Sequence, residues 1–514
     1  MNVKSGHSFE LNCPTGRWTL TATILASSMA FIDTTALNVI LPSLQRDLAA
    51  DGSDLFWVLN SYLLMLASLI IVGGSLGDRM GRVRVFNWGI IVFTIGSLLC
   101  GLAPTIEFLI IFRTVQGIGG AFMIPGSLSI ISAVFSKEDK GKAIGTWSAA
   151  TTIVTICGPV LGGALADIGW WRAIFFINLP LGIFSIYILS KKVPESRESD
   201  SSAIDWKGAI TLVLSLTLIT LGFLEMPELG VDHWMVVSSL IIGVILLIVF
   251  IYLENHIHAP MMPLELFANR TFSGVNLLTF FLYAALGAMM LFLSLNVIQI
   301  QGYSQFQAGL TFLPFTGTMV VLARIMGGMT DKYGARRFLI AGPIITGLGI
   351  AWLSQVGMTL GPSEYWTTYF PGFMVFAVGM SITVVPLTTA VMNSVDKKRS
   401  GIASGINNSI TRISSTFINA ILGATAIYLF SDFVADKIGS LELSNSLTQK
   451  IMEEARNLGE AKAPDNLHAS IQRQINSIYA SSFVRTYEWV GIMNAVLAFT
   501  SGILAFFMVK SERK

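Results

Sequence analysis

The sequence predicts an all-α membrane protein of fourteen spans, and three observations lead there. Of 514 residues, 53% are hydrophobic and 12% charged, against about 25% charged in an ordinary soluble chain. The mean hydropathy of +0.67 is too high for a surface solvated by water. The apolar residues also fall into continuous runs of 18 or more, the length a helix needs to cross the hydrocarbon core at 1.5 Å per residue. Because the runs are continuous rather than alternating, helices are favoured over a membrane barrel.

Taken in order, the spans run at 18–41, 55–76, 85–103, 106–134, 143–166, 171–190, 208–225, 234–253, 272–299, 306–329, 338–357, 367–393, 402–430 and 486–509. The first lacks a small-residue cleavage site and is too long for a signal-peptide core, so it counts as a span. Pro125, Pro159, Pro314 and Pro386 fall inside runs, a placement that membrane helices tolerate. Seventeen lysines and arginines, among them Arg79, Lys142, Lys191, Arg270, Arg336 and Lys397, follow the even-numbered spans. Short loops on the other side hold only Arg46 and Arg172. This asymmetry puts the even loops and both termini, 1–17 and 510–514, in the cytoplasm. The net charge of +2 is then a topology signal and implies no nucleic acid. Residues 431–484 form the one long extracellular loop, and 447–480 within it has the pattern of a helical hairpin. Cys13, Cys100 and Cys157 form no disulfide or metal pattern.

Absences narrow the chemistry. The one Gly-Lys step, Gly141-Lys142, is followed by Ala and lacks the phosphate-cradling loop of an ATP-driven pump. The five histidines include no H-E-x-x-H, so a zinc protease is unsupported. No cofactor is implied, no enzyme site is identifiable, and an ion gradient is the default energy source.

Local patterns then recur at set places along the spans. The loop after span 2 reads Gly74-Ser-Leu-Gly-Asp78-Arg79-Met-Gly81-Arg82, with a degenerate second copy running from Gly327 through Asp331 and Gly334 to Arg336. Span 1 carries Asp33-Thr34-Thr35 and Asn38, span 4 carries Arg113-Thr-Val-Gln116-Gly117, and span 5 carries Gly158-Pro159-Val-Leu-Gly162-Gly163. Trp57 with Tyr62, the run Trp171 to Pro180, and Ser400 to Asn408 leading to Arg412 complete the set. Together these motifs resemble the major facilitator superfamily, and with fourteen spans its drug:proton antiporter branch of multidrug-efflux type. The resemblance covers nearly the whole chain. It implies a six-helix bundle at 18–190, an inserted helix pair at 208–253 between cytoplasmic linkers 191–207 and 254–271, and a second bundle at 272–509. Such bundles rock about a midplane site.

Asp33 is the clearest acid inside a span, and an ionised carboxylate in hydrocarbon costs several kcal/mol unless it is paired or hydrated. It is the expected proton or substrate residue; the bland alternative is a hydrogen bond to Thr34, Thr35 or Asn38. Arg113, which the resemblance ties to proton movement, would otherwise serve as a fixed ion pair or carbonyl contact. Gly74, Asp78, Arg79, Gly81 and Arg82, echoed by Asp331 and Gly334, are expected to form a cytoplasmic latch, with Asp78 against the N-terminal end of span 13 near Ser400. Gly158, Pro159, Gly162 and Gly163 correspond to the antiporter motif, which seals the outer side in one state and lets span 5 approach a neighbour closely. Val154 departs from that motif, where a glycine is usual. Arg324 is a second departure: it either snorkels to the cytoplasm or meets an anionic substrate. Phe281, Met289, Met290 and Phe292 in span 9 suit either an adaptable binding wall or plain packing.

These expectations add up to a proton-coupled exporter of hydrophobic or amphipathic compounds in a bacterial inner membrane. The alternative is a dedicated exporter of a native siderophore, lipid or amino acid, and a transport-dead sensor is remote. The expected partners are a small molecule, protons and the lipid bilayer; a periplasmic adaptor is a further partner that nothing in the sequence demonstrates.

Overall fold

The computed structural model describes residues 9–510 except 12, 198–204, 259, 397–399, 440, 442 and 466. The side chains of Lys137, Glu138, Arg324, Asp331 and Ser400 also lie outside the description. Fourteen helices among the described residues are long and apolar enough to cross a bilayer. They are α1 (Pro14–Leu48), α2 (Gly52–Met80), α3 (Arg82–Leu102), α4 (Ile106–Val134), α5 (Lys137–Asp167), α6 (Ala173–Lys192) and α7 (Trp206–Leu229). The rest are α8 (Trp234–His256), α9 (Arg270–Ile300), α10 (Gln305–Thr311 and Leu313–Tyr333), α11 (Ala335–Ser354), α12 (Tyr365–Asn393), α13 (Ser400–Ile438) and α14 (Ala469–Met508).

Helix starts carry local signals. Pro14 opens α1 behind Cys13, whose sulfur accepts from the Gly16 N–H. Asp51 and Asp54 form a capping box on α2, and Ser304 and Gln307 form another on α10. Such caps satisfy backbone N–H groups that a helix leaves open. Gly81 and Gly334 hold the equivalent tight turns of the two halves at φ of +114° and +78°, a region that favours glycine.

The internal repeat shows in the packing. Gly119 of α4 lies on the Phe93 backbone of α3, and Gly379 of α12 lies on the Thr346 backbone of α11. Small residues at these crossings let backbones approach closely where lipid supplies no hydrophobic drive between helices. The α7–α8 pair is tied together by Ser215 Oγ donating to Gly243 O at 2.8 Å. Its Ala209, Leu212 and Leu216 join Leu64, Val72 and Leu76 of α2 in one apolar cluster, with Ile413 and Phe417 of α13 packed against it. The inserted pair therefore sits on the α2–α13 side of the seam between bundles.

The bundles meet on the extracellular side. Ser294 Oγ of α9 donates to Asn38 O of α1 at 2.9 Å, and Phe56 of α2 lies 5.9 Å from Phe292 of α9. Along the cytoplasmic halves of α5 and α10, a Cβ added at Gly141, Gly145, Gly327 or Gly328 would meet nothing within 4 Å.

The extracellular loop is shorter than 431–484, because α13 continues to Ile438 and α14 begins at Ala469. Both helices carry polar residues such as Asp432, Asp436 and Arg473 beyond the bilayer, where water rather than apolar content supports them. Between them a short helix, Asn445–Glu454, and a 3-10 turn, Ala455–Glu460, fold over the outer mouth. Gln45 Nε2 donates to Asn457 O at 3.1 Å, and Arg456 pairs with Glu228 at 3.2 Å.

Candidate functional site

Asp33 lies midway along α1 and is 1% exposed, as is Arg113 of α4. Thr34 and Thr35 do not serve it: their hydroxyls donate back to Ala30 O and Phe31 O within the helix. The partner is Arg113, whose Nη1 donates to Asp33 Oδ2 at 2.5 Å. Gln116, three residues on and hence on the same face of α4, donates from Nε2 to Asp33 Oδ1 at 2.8 Å. Arg113 Nη1 also donates to Gln116 Oε1 at 2.8 Å, and its Nε donates to Val58 O of α2 at 3.3 Å. The guanidinium stacks 4.4 Å from the Tyr62 ring centroid, a cation–π contact.

Asp33, Arg113 and Gln116 thus form one buried unit. Each Asp33 oxygen accepts a hydrogen bond, the pattern of a carboxylate, and the arginine compensates its charge. Protonating Asp33 would take the charge from the acceptor of both bonds and leave Arg113 buried without its counter-ion, which is costly unless the surroundings rearrange.

The glycine motif of α5 braces the same segment. Gly158 faces Thr35, and Gly162 faces Ala36, two and three residues past Asp33. Gly163 meets Gln305 O of α10, and Pro159 O lies 2.5 Å from where a Cβ on Gly309 would sit. The motif thus packs against α1 of its own bundle and α10 of the other, on the closed outer side. Two residues not singled out from the sequence complete that closure. Asp167, the last residue of α5, accepts from Gln305 N at 2.9 Å and Phe306 N at 3.0 Å, capping α10 across the seam. Ser43 of α1 donates to Gln305 Oε1 at 2.8 Å.

At the cytoplasmic loop after α2, Asp78 accepts from Arg82 Nε at 2.8 Å and Nη2 at 2.7 Å. Arg79 is exposed, and Gly74 makes ordinary contact with Pro125. Glu195 of the following linker, also not singled out, accepts from Val83 N at 2.9 Å and Arg84 N at 3.0 Å at the start of α3. Gly81 touches this carboxylate: a Cβ there would stand 2.7 Å from Glu195 Cδ. The expected contact between Asp78 and the start of α13 falls outside the described residues, as do the side chains of Asp331 and Arg324.

Of the two readings of the span-9 residues, wall or packing, the burial of Met289 and Phe292 accords with packing. Met289 is 0% and Phe292 1% exposed, closed into the core because the outer seam presses α9 against α1 and α2. In this conformation they offer no surface to a substrate, while Met290 and Phe281 are half-buried. The cation near the midplane that the sequence reading left without a role is Arg412 of α13. It is half-buried and lies within electrostatic range of Tyr62 and Tyr283, and it makes no hydrogen bond or ion pair through its guanidinium among the described residues.

A family model described as Major Facilitator Superfamily matches residues 23–419. The chain belongs to that superfamily. Within it, the chain is of the fourteen-helix multidrug-efflux type. It is 32% identical over 407 residues to the multidrug resistance protein Stp of Mycobacterium tuberculosis (strain CDC 1551 / Oshkosh), covering 79% of this chain and 75% of that protein. It is 26% identical over 500 residues to the tetracenomycin C resistance and export protein of Streptomyces glaucescens, covering 96% and 92%. Among solved structures, a bacterial homolog of the human lysosomal transporter Spinster, inward-facing and unoccupied, superposes with a TM-score of 0.64 at 16% identity, over 97% of this chain and 99% of that one. That likeness carries the fold. The protein is a multi-pass membrane transporter.

Proposed function

We propose that this protein exports hydrophobic or amphipathic compounds across a bacterial inner membrane in exchange for protons, by alternating access. The observation that carries this reading is the buried Asp33–Arg113–Gln116 unit, set beside a seam closed on the outer side. In the inward-open state Asp33 is a paired carboxylate and substrate enters from the cytoplasm or inner leaflet. In the outward state a proton from outside neutralises Asp33 and releases Arg113. The unit couples the two fluxes because proton and substrate bind the two states unequally. The loop residues Asp78, Arg82 and Gly81 act in the inner closure, and Gly158, Pro159, Gly162 and Gly163 in the outer one; neither group touches substrate. The drug-resistance names of the relatives support efflux as the direction.

A second reading rests on Arg412. With Asp33 and Arg113 neutralising each other, this cation leaves the middle of the protein net positive, which favours neutral or anionic substrates over cations and fits a dedicated metabolite exporter.

The test uses inside-out vesicles with an imposed pH gradient, acid inside, and follows a fluorescent cation and an anionic dye for wild type and Asp33→Asn. Gradient-driven uptake of either dye that is lost in Asp33→Asn supports proton-coupled efflux. Uptake of the anion alone, abolished in Arg412→Gln, supports the second reading. Equal transport by Asp33→Asn and wild type overturns the coupling assignment.

A further inference from the structure

The cytoplasmic ends of the inserted helices bring two carboxyl groups together, away from the unit described above. Asp205 caps α7: its Oδ1 accepts from Gly208 N at 2.8 Å. Glu254, in the last turn of α8, accepts from Met262 N of the following linker at 2.8 Å through Oε2. The two residues are 7% and 2% exposed. Their remaining oxygens, Asp205 Oδ2 and Glu254 Oε1, are buried with no hydrogen-bond partner. Both point at one spot: a Cβ on Gly208 would strike Asp205 Oδ2 and stand 2.7 Å from Glu254 Oε1.

Among the described residues no cation pairs with either carboxyl: Arg79 on α2, Arg84 on α3 and Arg412 on α13 make no ion pair there. The same holds for Lys207 on α7 and for His256 and His258 at the end of α8, while Asp78, the acid on α2, is engaged with Arg82. Apolar Leu76, Ala209, Leu212, Phe250 and Met261 enclose the region. Two ionised carboxylates face to face in such a place repel strongly, and the usual resolution is one shared proton.

We propose that Asp205 and Glu254 form a one-proton site, a carboxyl–carboxylate hydrogen bond that clamps the first turn of α7 to the last turn of α8 and, through Met262, to the linker beyond. Glu254 Oε1 and Asp205 Oδ2 share the proton, and each carboxyl keeps its backbone donor through the other oxygen. When the cytoplasm turns alkaline the proton leaves, both groups carry charge, and the clamp opens. Because α7 packs on α2 and α13, the site makes the seam's support sensitive to cytoplasmic pH. It is independent of the transport reading.

Hydrogen exchange on the full-length protein in lipid nanodiscs, corrected for the intrinsic rate at each pH, tests this. Between pH 6 and pH 9, wild-type amides at 206–210 and 261–262 are expected to lose protection by roughly tenfold or more, the worth of one charge-assisted hydrogen bond. Glu254→Gln, whose amide donates in place of the proton, is expected to stay protected at both pH values, and Asp205→Asn gives the same result. Flat wild-type protection across this range overturns the proposal whether or not either variant folds. So does protection restored at pH 9 by added Ca²⁺ or Mg²⁺ in the wild type, which would make the site a metal site.

Discussion

At the scale of single residues, the energetics turn on two charges that lipid would reject separately and accept as a pair. Removing one partner of a buried ion pair costs about 3–5 kcal/mol, because the other charge stays buried. Asp33→Ala is therefore expected to lower thermal stability in detergent more than the double change Asp33→Asn with Arg113→Gln. The double variant, its charges removed together, is expected to fold yet fail to respond to a pH gradient. Transport driven by the gradient in that variant would separate Asp33 from coupling. Asp33 and Arg113 were both legible in the sequence, since charges stand out in apolar runs. Their pairing was not, as α1 and α4 are 80 residues apart at that contact. Gln116 was half legible: its spacing from Arg113 put both on one helix face, but nothing said which neighbour that face would meet. Met289 and Phe292 read equally well as wall or core, and the closed seam put them in the core.

Helices supply the next scale, and here two carboxylates act on the ends of helices other than their own. Asp167 caps α10 from the opposite bundle, so its bonds must break when the outer side opens. Losing such a cap costs about 1 kcal/mol, which moves a two-state equilibrium about fivefold. Asp167→Ala is expected to raise the reactivity of a cysteine placed at Ser43 toward a membrane-impermeant thiol reagent added outside, by roughly that factor. Unchanged labelling would show that the cap does not hold the outer closure. Glu195 does the same for α3 within one bundle, with Gly81 packed on it. Gly81→Val combines a left-handed φ with a collision against Glu195, and is expected to lower thermal stability by more than Glu195→Gln, which removes charge and leaves the turn intact. The motif glycines were visible beforehand; the carboxylates that they and the helix ends meet were not, because an acid at a helix end or in a linker has no periodicity to mark it.

The whole molecule is held in its present state by an outer seam of small residues. Gly163 against Gln305 and Gly309 against Pro159 leave no room for a side chain. Gly163→Leu is therefore expected to prevent closure and populate an outward-open arrangement. Spin-label distances between the outer ends of α5 and α10 should lengthen, and transport should stop. A distance distribution like that of wild type would mean that the seam repacks around leucine, and the glycine would then carry no conformational weight.

Fourteen apolar runs, the charge asymmetry of the loops and the repeated loop motif determined the number of helices, their orientation and the two-bundle plan from the sequence alone. Those properties follow from what each segment must satisfy against lipid or water, and each segment carries its own answer. The ends of α13 and α14, the seat of residues 445–460 on the outer mouth, the Asp33–Arg113–Gln116 unit, the Asp167 cap and the closed outer seam were decided only by tertiary structure. Each depends on which distant side chain or backbone group a residue meets, and hydrogen bonds and close glycine contacts are short-ranged, so their partners exist only once the helices are packed.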